Sequence, residues 1–133
     1  MIKETINYTD YNGNARKRDC YFNLNKAEIM KMEMSTKGGL AERIQSVVDA
    51  QDQPAIIQIF EDLIQKSYGV KTADGAFVKR KEDLDEFIST EAYSELFMKL
   101  ATDAEAAAKF INGIIPADMA KQLETQQINY IEN

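Results

Sequence analysis

No histidine and no tryptophan occur in the 133 residues, and there is a single cysteine. Imidazole-activated nucleophiles, histidine metal cages and disulfide frameworks within one chain are therefore excluded, which removes most familiar hydrolase designs. Prolines number two and low-complexity tracts are absent, so neither a disordered nor a fibrous chain is indicated. No window approaches the ~18 consecutive apolar residues of a membrane span, and the charged start Met1-Ile2-Lys3-Glu4-Thr5 lacks a secretory apolar stretch. The expectation is an intracellular protein of one domain.

Charge is lopsided. Residues 1–40 hold seven basic and five acidic residues, whereas 41–133 hold nine and seventeen, for a net charge of −6. That balance repels phosphate backbones, so nucleic-acid binding is not expected.

Alternation dominates the start: Ile2, Glu4, Ile6 and Tyr8 share one face of a strand, and Cys20, Phe22 and Leu24 share one face of another. Asn12-Gly13 between them suits a tight turn, so residues 1–24 are predicted to form a β-hairpin. Such a hairpin is marginal alone and must be covered by the remainder of the chain. Asn25 with Glu28 has capping-box spacing and opens a helix through Ile29, Met30, Met32 and Met34, which Ser35–Gly39 breaks.

Two amphipathic stripes come next, Leu40, Ala41, Ile44, Val47, Val48 and, after Asp52 and Pro54, Ile56, Ile57, Phe60, Leu63, Ile64. Gly69 is expected as the C′ residue of the second, and 70–79 around Asp74-Gly75 as a small hairpin or ordered loop. The acidic turn Glu82–Glu86 opens further helices, with Thr90 as one N-cap and Thr102 with Glu105 as a capping box for the alanine-rich helix. Asn112-Gly113 should weaken that helix end, and Pro116 should start a last helix carrying Met119, Ala120 and Leu123.

The predicted architecture is α+β, mainly α: an N-terminal β-hairpin packed on about five or six short helices, with a possible second small hairpin near residues 70–79. One globular domain is expected over 1–123 (1–24 hairpin, 25–123 mostly helical), followed by a polar tail at 124–133.

Candidate chemistry is sparse. Cys20 reads as a small buried hydrophobe, since nothing nearby would lower its pKa. Asp10, Asn12 and Asn14 hint at a calcium loop, but the glycine and the closing glutamate are misplaced for one, so turn chemistry wins. Thr36-Lys37-Gly38-Gly39 lacks the order of a phosphate-binding loop. Glu82, Asp83, Asp85 and Glu86 could hold a cation or do acid/base work, although solvated charge at a helix start is the simpler reading, and Lys79-Arg80-Lys81 is too short for a nucleic-acid patch. No enzyme, cofactor or metal is expected. Met30, Met32 and Met34 point about 200° apart in succession on a helix, so Met30 and Met34 share a face that Met32 does not. The simpler reading is core filler plus one exposed side chain; the alternative is a groove for an apolar partner helix, because thioethers repack readily.

Several stretches resemble the tail assembly chaperones of long-tailed bacteriophages and prophages of Gram-positive bacteria. They are Met1–Ile6 through Tyr11-Asn12-Gly13-Asn14, Asn23–Glu28, Gly38–Glu42, Glu91–Phe97 and Ala106–Pro116, within roughly residues 1–123. The resemblance implies a non-enzymatic assembly factor of the host cytoplasm, absent from the finished virion. Such a factor binds the tape measure protein, keeps it soluble and helps bring major tail tube protein to it. It also implies a frameshifted longer form as a partner to consider; self-association is a further possibility, and charge and hydropathy already speak against nucleic acid and membrane. The resemblance carries no residue-level motif; Met30, Met34, Phe97 and Met98 are surface candidates chosen from the helical pattern. The alternative is a structural tail component or connector retained in the virion.

Overall fold

The computed structural model describes residues 1–35 and 38–116, without the side chains of Ala41, Ile44, Val47 and Val48. The predicted last helix through Met119, Ala120 and Leu123, the polar tail, and the core-facing role of those four side chains lie outside the described residues. Strands β1 (Ile2–Thr9), β2 (Ala15–Phe22), β3 (Tyr68–Lys71) and β4 (Phe77–Val78) and helices α1 (Lys26–Ser35), α2 (Leu40–Asp49), α3 (Gln53–Ser67), α4 (Lys81–Ile88), α5 (Glu91–Thr102) and α6 (Ala104–Ile114) make an α+β, mainly helical fold. No helix among the described residues is long and apolar enough to cross a membrane.

The first hairpin pairs Ile2 with Phe22 and Thr9 with Ala15, so alternation puts Ile6, Cys20 and Phe22 into the core. Its turn is longer than the two residues Asn12-Gly13. Asp10 N–H donates to the Asn14 carbonyl at 2.9 Å and Gly13 N–H to the Asp10 carbonyl at 3.0 Å, while Gly13 alone in the turn takes a positive φ of +85°. This leaves a three-residue loop closed by a left-handed glycine. The Asp10 carboxylate accepts from the N–H groups of Asn12 and Asn14, each at 2.9 Å, and from Arg16 Nε at 2.7 Å. The same design recurs between β3 and β4, where Thr72 pairs with Ala76 and Gly75 has φ +86°.

That second hairpin is part of the main sheet. Tyr21 pairs with Gly69 and Phe22 with Tyr68, giving the order β1-β2-β3-β4. Gly69 does follow the C-cap Tyr68, at the C′ position of α3, but as a strand residue without the left-handed φ of a glycine stop; α3 ends at Ser67, and Tyr68 turns straight into extended backbone. Glycine is needed at 69 for another reason: a Cβ there would sit 2.8 Å from the Phe77 ring and 3.1 Å from the Val78 carbonyl oxygen.

Helices cover one face of this sheet. Helix α5 packs on β1, with Lys99 Nζ 3.3 Å from Glu4 Oε2. That contact explains how a glutamate is tolerated at an inward strand position. Helix α6 crosses the start of β1 so closely that a Cβ on Gly113 would lie 2.8 Å from Ile2, and the helix continues through Asn112-Gly113 to Ile114. Tertiary packing of Phe110 and Ile114 overrides the expected weakening.

Phe22 lies at the centre of the core, with ring centroids 5.3 Å from Phe110, 5.7 Å from Tyr68 and 6.0 Å from Phe87. In α3, burial is confined to the last turns, at Leu63, Ile64 and Ser67. Ile57, placed in the core by its spacing, is therefore exposed, and Ile59 and Phe60 pack at the core edge instead.

Two caps differ from expectation. Thr90 does stand at the start of α5, but its hydroxyl donates backwards to the Phe87 carbonyl at 2.7 Å. Asp103, not Thr102, caps α6 by accepting from Glu105 and Ala106 N–H, both at 3.1 Å. Thr102 closes α5 by donating to the Met98 carbonyl.

Candidate partner-binding surface

Helix α1 begins as its sequence requires. Glu28 N–H donates to Asn25 Oδ1 at 2.8 Å and Asn25 N–H to Glu28 Oε1 at 3.0 Å, a complete capping box. The other oxygen of Glu28 accepts from Lys79 Nζ at 2.6 Å, and the same ammonium donates to the Asn23 carbonyl at 2.7 Å. Lys79, the first residue of the short basic run, thus ties the end of the second hairpin to the root of α1. Leu24 N–H donates to the Ile114 carbonyl at 2.6 Å, which adds the end of α6 to the same joint.

Beyond this joint α1 is sparingly covered. Of its ten residues only Ile29 is buried, and Met32 is half-buried against the core. Met30 is 64% exposed and Met34 82%. On α5, Leu96 and Leu100 are buried, Phe97 is half-buried beside Tyr93, and Met98 is 53% exposed. Met30 and Met34 share one helix face, whereas Met98 belongs to a helix that does not pack along α1. The four candidate residues thus come from two helices, and Phe97 contributes to the core edge.

Polar clusters elsewhere are consumed by structure. Arg18 and Glu86 form a two-pronged pair, each N–O contact 2.8 Å, and Arg18 also donates to the Tyr68 hydroxyl at 3.0 Å while lying over the Phe87 ring. Glu86 thus serves an ion pair between β2 and α4. No group of three or more acidic or cysteine side chains that could hold a metal ion occurs among the described residues. The Asp10 carboxyl is held below its usual range by the Arg16 hydrogen bond and by the turn N–H groups, and it acts as a turn former.

Cys20 is buried and unbridged, and burial pushes its thiol up to about 11. Because the folded chain keeps the neutral thiol, this contribution to stability is present below the ordinary value of 9.0 and is lost as pH rises towards 11. At pH 8 a thiol reagent should modify native protein roughly a hundredfold more slowly than urea-unfolded protein, following the thiolate fraction. Equal rates would show the thiol to be open.

A family model for phage tail assembly chaperones matches residues 1–133. The chain belongs to that family. No curated protein and no solved structure matches it. Membership in the tail assembly chaperones supports a role in building a phage tail.

Proposed function

We propose that this chaperone, from a long-tailed phage or prophage of a Gram-positive host, binds the apolar helical surface of the tape measure protein. It keeps that protein soluble in the host cytoplasm and helps recruit major tail tube subunits, without catalysing any reaction. The observation that carries this reading is the exposure of Met30 and Met34 on one face of α1, with Met98 on α5. A long apolar helix needs a complementary apolar surface that later lets go, and flexible thioethers give many weak, adjustable contacts. The net charge of −6 favours solubility of a complex in which several copies coat one partner.

Co-expression with the tape measure protein of the same genome tests the proposal. The expected result is soluble tape measure protein that co-purifies with this chain, and absence of the chain from purified virions by mass spectrometry. Unchanged tape measure solubility would overturn it.

A further inference from the structure

Strand β1 stands at the end of the sheet order, so one of its edges has no neighbouring strand among the described residues. Hydrogen-bond parity says which groups that edge offers, because opposed residues of an antiparallel pair alternate between bonded and non-bonded. Asp10 N–H bonds to the Asn14 carbonyl, so Tyr8, Ile6 and Glu4 are the residues that bond to β2. The same count puts Asn23 on the β3 side, where its N–H does reach the Ser67 carbonyl at 2.8 Å. The N–H and C=O groups of Lys3, Thr5, Asn7 and Thr9 therefore point outward, and all four residues are exposed.

This edge is unguarded among the described residues. Proteins blunt such strands with proline, a bulge, an unmatched inward charge or a very short length. Strand β1 is eight residues long, has no proline and pairs without a break from Ile2 to Thr9. Its inward charge, Glu4, is matched by Lys99, and its one lysine lies 3.7 Å from Asp19.

Helix α5 adds a wall. Lys99 reaches Glu4, and Glu95 and Glu91 follow at steps of four on the same helix face, whereas Tyr93 turns to Gln65 of α3 and Phe87 of α4. The face that runs by β1 thus carries two glutamates, with Lys99 already committed to Glu4.

These features choose the occupant. A second copy pairing through its own β1 would set two α5 helices over strands about 4.8 Å apart, closer than the roughly 8–10 Å at which helices pack, and would bring like charges together. A strand with no helix above it and with lysine or arginine at alternate positions meets neither obstacle and answers the charge. We propose that an extended basic segment of another polypeptide adds to β1 as a further strand beneath the Glu91 and Glu95 face of α5. The site is separate from α1 and does not depend on the tape measure reading.

Residue-resolved amide hydrogen exchange on the full chain tests it, with a synthetic peptide of about eight residues alternating lysine and threonine as the probe. In the free protein Lys3, Thr5, Asn7 and Thr9 should exchange quickly and Glu4, Ile6 and Tyr8 slowly. Saturating peptide should slow the first four about tenfold or more. With its lysines under α5, the peptide's threonine nitrogens face β1, so methylating those should abolish binding and methylating the lysine nitrogens should spare it. Glu95→Lys, at an exposed position, should weaken binding about tenfold and leave the exchange of the free protein unchanged. The proposal is overturned if the four amides are already protected in the free chain, and protection that rises with protein concentration would assign the edge to a second copy. It is equally overturned by absence of slowing with peptide, by full affinity in Glu95→Lys, or by equal binding of a peptide with glutamate in place of lysine. None of these outcomes touches tape measure solubility, so the two proposals fail separately.

Discussion

Replacing Phe22 with alanine is expected to lower stability by about 3–5 kcal/mol, a large share of the 5–15 kcal/mol typical of a domain. Phe22 is fully buried and touches aromatic rings from β3, α4 and α6 at once. Its loss therefore opens a cavity at the one place where sheet and helices meet, and three surrounding rings cannot all relax into it. With a urea slope of about 1–3 kcal/mol per molar, the unfolding midpoint should fall by roughly 1–5 M. A drop below about 0.5 M would mean that the site collapses freely and that the rings do not hold the layers together.

The second large effect is on function with stability untouched. Met30→Asp with Met34→Asp places two carboxylates on the exposed face of α1, where no buried contact is lost, so the melting temperature should stay where it was. A partner helix, by contrast, would have to desolvate both charges without a counter-ion. If each position acts as a binding hot spot of about 2 kcal/mol, affinity for the tape measure protein should fall roughly a thousandfold, and its soluble recovery in co-expression should fall with it. Full retention of solubilising activity in the double variant would remove α1 from the binding surface and leave Met98 and α5 as the remaining candidate. The single variant Met98→Asp separates the two helices, since it should act only if α5 takes part.

Both experiments exploit a division already visible in the chain. Short-range signals are readable. Period-two alternation places Ile6, Cys20 and Phe22 inward because a strand offers only two faces. The capping box of Asn25 and Glu28 is readable because its partners are three residues apart and need no tertiary context. The separation of Met32 from Met30 and Met34 follows from helical geometry in the same way.

What escapes the sequence is every feature set by a distant neighbour. Gly69 has the look of a helix stop, yet its smallness answers the Phe77 ring lying over it. Gly113 has the look of a weak helix end, yet it lets α6 approach Ile2. Thr102 and Asp103 are equally good caps by residue type, and the choice between them depends on where α5 ends. For the candidate surface the gap is wider. Periodicity nominates Met30, Met34, Phe97 and Met98 together, but only the packed molecule separates half-buried Phe97 from the exposed thioethers and puts the latter on two helices.

The amino-acid sequence by itself determined the elements, the inward faces of the first hairpin, the cap of α1, and the lack of histidine chemistry, since these depend on residue type and on spacings of a few residues. Tertiary structure alone decided that the two hairpins share a sheet through Tyr21–Gly69 and Phe22–Tyr68, that Lys79 locks the root of α1, and that among the residues of α1 only Ile29 is buried. Those outcomes depend on which surfaces meet across forty or more residues of chain, and no local rule of spacing contains that information.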